Sequence, residues 1–241
     1  MFKLNYLAVL LATALFAALI PPVFALTYNP GVTTGQYVKY GNFVGVGPGA
    51  ESFNDYDWLK LQVTDVSGKS VTLLSTGQFK NGTTIAGNGT VLVWNIETGT
   101  EDNIPSTQGP IIAANLNTGE PIPPPDTYSV NRTESRTYLG TARTVNILDA
   151  SISTPDYNTT LTYIYDKASG MLLESRTQTT TQAEPQPIVT IISYSVVETN
   201  IFSSSNPLPF MPDSRIIEIG AIAIVILIGI IIALALTKRR K

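Results

Sequence analysis

The sequence predicts an all-β antiparallel exterior domain, a two-sheet sandwich or one strongly curved sheet, followed by one C-terminal transmembrane helix. Three observations carry this prediction. Short stretches between residues 30 and 200 alternate apolar and polar side chains with a period of two, the pattern of half-buried strands. Clusters of Gly, Pro, Asn, Asp and Ser separate them roughly every 8–12 residues. The stretch Ile219 to Leu236 contains no charge at all and is mostly Ile, Leu, Val and Ala.

Taken in order, residues 1–25 read as a secretory signal peptide. Lys3 precedes the apolar run Leu7 to Ile20, and Val23 and Ala25 supply the small residues of a cleavage site. Residues 26–202 form the extracellular β domain. In "DWLKLQVTDVSGKSVTLLSTGQF", Leu59, Leu61 and Val63 alternate with Lys60, Gln62 and Thr64, and the chain turns at Gly68 and returns as a hairpin. Further strands are expected in "GQYVKYGNFVGV", "TVLVWNIE", "GPIIAANL", "RTYLG", "RTVNILDAS", "TTLTYIYD", "MLLESRTQ" and "PIVTIISYSVVE". "KNGTTIAGNG" reads as a turn, "PIPPPD" as an exposed polyproline-like loop, and "TTTQAEPQP" as a hairpin loop or the lead into the last strand. No amphipathic helix is expected between residues 26 and 213.

Residues 203–215 are a stalk rich in Ser and Pro. Residues 216–237 form the transmembrane helix, whose charge-free part alone spans about 27 Å at 1.5 Å per residue. Residues 238–241 (Lys238, Arg239, Arg240, Lys241) are a basic tail, which belongs in the cytoplasm. The expected location is therefore the cell membrane, single-pass, with the bulk of the chain outside.

Composition excludes several functions. Residues 26–213 carry nine Lys/Arg and seventeen Asp/Glu, a net charge of −8 that repels nucleic acid. The chain has neither Cys nor His, so it cannot form disulfides, thiol nucleophiles, Ser-His-Asp triads or ordinary zinc-hydrolase sites. No catalytic, cofactor-binding or metal-ligating residue is assigned, no cofactor is expected, and the chain is read as not being an enzyme. Four N-x-S/T sequons, at Asn81, Asn88, Asn131 and Asn158, are candidate glycosylation sites.

Three constellations could carry chemistry, and each has a plainer account. "YIYDKASGMLLE" places Asp166 and Gly170 where a tight loop needs them, with the carboxylate accepting backbone N–H groups and Gly170 at positive φ. Glu51, Asp55 and Asp57 lack the D-x-D-x-D-G pattern of a calcium loop and read as solvated. Glu97, Glu101 and Asp102 are one acidic group among many. The aromatics Tyr37, Tyr40, Phe43, Trp58, Trp94, Tyr163, Tyr165 and Tyr194 suit a β core, or line a ligand surface.

"GQYVKYGNF", "IIAANLNTGEPIP", "RTYLGTARTVNIL" and "YIYDKASGMLLES", in that order, give the chain its resemblance to a group of uncharacterised archaeal surface proteins. These carry a signal peptide, a β-rich exterior domain and one C-terminal helix ending in basic residues. The resemblance covers most of residues 30–200 and implies the same topology and an archaeal source. The group has no assigned activity, so no functional residue carries over. The leading expectation is a membrane-anchored surface interaction or structural module with surface proteins or glycans as partners. The alternative is a carrier or sensor of an apolar ligand such as a lipid, and the third is a carboxylate-based glycan hydrolase. What separates the first two is whether the apolar strand faces meet each other or line a void.

Overall fold

The structure, a computed structural model, describes residues 27–101, 104–105, 109–123, 128–182 and 186–202, without the side chains of 86–88 and 104–105. The predicted signal peptide, stalk, transmembrane helix and basic tail lie outside these residues. Thirteen strands are described: β1 (Tyr37–Val46), β2 (Tyr56–Ser67), β3 (Ser70–Phe79), β4 (Thr84–Asn95), β5 (Thr100–Glu101), β6 (Ile104–Pro105), β7 (Pro121–Ile122), β8 (Tyr128–Ser129), β9 (Arg132–Tyr138), β10 (Thr141–Ser153), β11 (Tyr157–Asp166), β12 (Leu172–Thr181) and β13 (Ile188–Thr199). Among the described residues there is no α-helix, only a 3₁₀ turn at Glu51–Asp55. The strands belong to a compact unit that ends at Thr199.

Eleven strands form one antiparallel sheet in the order β6-β5-β4-β3-β2-β1-β13-β12-β11-β10-β9, and β7 pairs with β8 separately. The chain meanders outward from β1 to β6, then returns from β9 to β13, and β13 closes against β1. Hairpin turns set the local pairings. The hairpin predicted at Gly68 forms there, with φ +59°, and its two-residue turn aligns Val63 with Leu73 and Val66 with Val71.

One face of this sheet is apolar across β1 to β4, β13 and β11. Val38 and Tyr40 of β1, Leu61 and Val63 of β2, Val71 and Leu73 of β3, and Trp94 of β4 are buried on it. So are Leu161, Tyr163 and Tyr165 of β11 and Val196 of β13. Strands far apart in the sheet, β5 and β11, line a common cavity, so the sheet curls around this face. The architecture is therefore one strongly curved sheet, not a sandwich of two.

Several expectations about elements are corrected. "GPIIAANL" is not a strand. Ile111, Ile112, Ala113 and Leu116 are buried, but the segment makes a single bridge, Ile111 to Met171. Its backbone is satisfied by loops: Ile112 N–H donates to Gly170 O (2.9 Å), Leu172 N–H to Pro110 O (3.1 Å) and Ala114 N–H to Asn29 O (2.9 Å). An apolar run of this length is compatible with any buried conformation, and here it caps one end of the sheet. "KNGTTIAGNG" is a turn only at its start, because β4 begins at Thr84 and passes irregularly opposite Thr76 before resuming at Thr90. "PIPPPD" opens with β7, and Ile122 is buried rather than exposed, while residues 124–127 are outside the described set. "TTTQAEPQP" continues β12 as far as Thr181.

Three sequon asparagines are exposed in loops or on strands. Asn81 Oδ1 accepts from Thr83 N–H (2.9 Å), Asn131 Oδ1 from Asp149 N–H (2.7 Å), and Asn158 Oδ1 from the hydroxyls of Ser151 and Ser153. Asn88 lies on β4, and its side chain is not described.

Candidate functional site: an aromatic-lined trough

Side chains pack over much of the concave face but leave part of it unfilled. It holds two adjoining compartments that share Leu59 and Tyr194 as lining residues. The inner one, about 210 Å³, lies against Tyr40, Leu92, Trp94, Tyr163 and Tyr165 and is closed by Gly109 and Pro110. A Cβ on Gly109 would lie 2.4 Å from the Trp94 ring, so glycine lets the capping loop rest directly on the indole. The outer one, about 490 Å³, is lined by Phe43, Phe53, Tyr56, Ile85, Thr177 and Ile192 among others. That volume falls in the range of roughly 300–1,000 Å³ occupied by small-molecule ligands.

A β-bulge builds the outer compartment. Strict alternation from Tyr40 would point Asn42 and Val44 inward. Instead the register shifts between Gly41 and Val44, with Asn42 at φ +53°. This turns Phe43 into the trough and leaves Val44 and Val46 exposed on the outer face. Strands β1 and β2 pair only from Tyr37 to Tyr40, and beyond that point the loop 47–55 folds in. Asn54 fixes it by two bonds to one residue: Gly45 N–H donates to Asn54 Oδ1 (2.8 Å), and Asn54 Nδ2 donates to Gly45 O (2.7 Å). Phe53 is thereby held edge-on to Phe43 at 5.3 Å and beside Tyr56 at 5.4 Å, and Tyr56 meets Phe79 at 4.9 Å.

The trough is mostly apolar although tyrosines line it, and three of them spend their hydroxyls on the protein. Tyr40 Oη donates to Leu172 O (2.9 Å) and Tyr165 Oη to Gly109 O (3.2 Å), while Tyr194 is hydrogen-bonded to Ser175. Burial pushes the Tyr40 and Tyr165 phenols well above the usual tyrosine range, with neighbouring phenols adding to the effect. Tyr138, half-buried on the outer face, is pushed up to about 12 by burial and by the Glu174 carboxylate. Below about pH 10 both folded and unfolded chains keep these protons. Above it the unfolded chain releases them while the folded one does not, so stability falls as pH rises. Tyr40 and Tyr165 are expected to ionise only together with cooperative unfolding in an alkaline titration followed by phenolate absorbance. Gradual ionisation of every phenol in a folded domain would contradict this.

The residues singled out from the sequence divide cleanly. Tyr40, Trp94, Tyr163, Tyr165 and Tyr194 come together around the inner compartment, and Phe43 joins the outer one. Tyr37 and Trp58 point to the opposite face, where Lys60 and Lys39 lie over their rings. Phe53, Tyr56 and Phe79 carry no periodic signal that marks them in advance. Glu51, Asp55 and Asp57 are exposed, and no group of three described acids is placed to hold a metal ion. Glu97 is exposed and Asp102 lies outside the described residues, whereas Glu101 reaches the inner compartment and is the one carboxylate among the residues lining the trough. Asp166 sits in the predicted turn, accepting from Ser169 N–H (2.9 Å), with Gly170 at φ +75°.

No protein-family model matches the chain, and a search of curated proteins gave no match.

Proposed function

We propose that the domain binds an apolar ligand, such as a lipid chain, in the trough of its curved sheet. The observation that carries this reading is that the apolar strand faces line a void instead of meeting a second sheet. Phe53 and Tyr56 of the outer compartment are only half-buried, and an apolar ligand would cover the rest of their surface. With the hydroxyls of Tyr40, Tyr165 and Tyr194 engaged by the protein, the lining favours apolar matter, and Glu101 is the one carboxylate that borders it. Among the described residues Glu101 is the one carboxylate lining the trough, where a glycan hydrolase needs a pair, and the two described carboxylates with shifted titration, Glu134 and Glu198, are held low by neighbouring Arg, Lys and Tyr donors rather than raised. With a signal peptide and a basic-flanked anchor, the same domain would work at the outer face of a membrane, which is where an apolar carrier or sensor finds its ligand.

Trp94 provides the test. In a Trp58→Phe background it is the only tryptophan, since the chain has two. Addition of a brominated alkyl chain is expected to quench its emission. Thr177→Phe, which fills the outer compartment, is expected to raise the concentration needed at least tenfold. An unquenched Trp94 would sink the proposal.

A further inference from the structure

The outer face of β1 and β2 carries an arrangement that the trough does not explain. Lys39 stands directly opposite Lys60 in the register, and like charges so placed destabilise a sheet. They are flanked by two half-buried aromatic rings, Tyr37 opposite Gln62 and Trp58 two residues before Lys60. Lys60 Nζ lies 4.3 Å from the Tyr37 ring centroid, and Lys39 Nζ lies 5.1 Å from that of Trp58. The nearest acid bonded to this group is Glu198, which accepts from Tyr37 Oη (2.8 Å) and Lys39 Nζ (3.3 Å). One carboxylate against two ammonium groups leaves the stripe positive, on a domain whose overall charge is strongly negative. Gln78 completes it, accepting from Trp58 Nε1 (3.1 Å).

We infer that this Trp58–Lys60–Lys39–Tyr37 stripe is a binding site for an acidic carbohydrate. Ring faces suit the apolar faces of sugars, as amphipathic aromatic surfaces do generally. Trp58 and Gln62, the residue opposite Tyr37, are four apart on β2, about 13 Å along the strand, so the two rings bracket a short oligosaccharide. A carboxylate or sulfate between the two lysines offsets their like-charge repulsion. The cation–π contacts hold both ammonium groups over the rings until such an anion takes them. The carbohydrate class follows from this pairing of rings with cations, since a bare anion needs no ring and a neutral sugar needs no lysine pair.

The test is calorimetric titration of the full chain in nanodiscs of neutral lipid, with tetragalacturonate as the probe. Binding is expected, weakening at least tenfold in Lys60→Gln and again in Trp58→Ala, and also when salt rises from 0.05 to 0.5 M, while Lys80→Gln at a distant turn has no effect. Equal binding of a neutral tetrasaccharide overturns the proposal. So does inorganic sulfate binding as tightly as tetragalacturonate, which would leave an anion site only. Recruitment of anionic-lipid vesicles through Lys60 without tetragalacturonate binding assigns the stripe to a membrane surface instead, and failure to bind any probe also refutes it.

Discussion

Replacing Asp166 with alanine is expected to lower the unfolding free energy by about 3–5 kcal/mol, the usual consequence of removing one partner of a buried ion pair. The Asp166 side chain is 0% exposed and that of Arg143 is 20% exposed. Arg143 grips the carboxylate with both arms, Nε to Oδ1 at 2.7 Å and Nη2 to Oδ2 at 2.9 Å, while the Ser169 backbone N–H and hydroxyl both donate to Oδ2. Alanine deprives a largely buried guanidinium of its counter-ion and removes the acceptor of two buried donors. Asp149, whose pair with Arg132 is exposed, serves as the comparison and should cost under about 1 kcal/mol when replaced. Urea unfolding monitored by Trp94 emission measures both. A loss below about 1 kcal/mol for Asp166→Ala would show that the pair is incidental to the fold.

The second large effect is expected from Gly170→Ala. Its φ of +75° alone costs an alanine about 1–2 kcal/mol. A Cβ there would also lie 2.0 Å from Ile112 O, a contact with backbone that no rotamer change relieves. The capping segment must then move off the β11–β12 hairpin, breaking the Ile112 N–H to Gly170 O bond and loosening Ile111 and Ile112. The combined loss should reach roughly 3 kcal/mol, and because Gly109 and Pro110 close the inner compartment, bromoalkane quenching of Trp94 should change with it. Gly68→Ala isolates the backbone part, since Gly68 is at φ +59° with nothing within 4 Å of its added Cβ. It should lose about 1 kcal/mol and leave quenching unaltered. Equal losses at the two glycines would mean that the capping loop is not tied to the hairpin.

These two sites also show where sequence reasoning succeeds and where it stops. The Asp166 turn was legible because turn chemistry is local: a carboxylate, three residues and a glycine suffice to specify it. Its partner Arg143 was not, because it arrives from β10, and nothing in the spacing of the two residues announces the contact. The long strands were readable from period-two alternation, whereas the aromatics were legible only as one pool, from which the fold sends Tyr37 and Trp58 to the opposite face. The bulge at Asn42 was hidden, since one extra residue reverses which of Phe43 and Val44 faces inward without altering the local composition. Phe53 was hidden for a different reason. It sits in a loop with no periodicity, and it reaches the trough only because Asn54 mimics a strand partner for Gly45. The choice between sandwich and curved sheet depended on the closure of β13 on β1, a pairing across most of the chain that strand patterns alone leave open.

An apolar chain bound as proposed enters past Phe43 and Phe53 and extends to Trp94. The decisive measurement uses the Trp58→Phe protein with two alkyl-chain probes, one brominated near its terminal methyl and one near its polar head. The terminally brominated chain is expected to quench Trp94 strongly and the head-brominated chain weakly, with both effects suppressed by Thr177→Phe. Equal quenching by the two probes, or none by either, would contradict this placement.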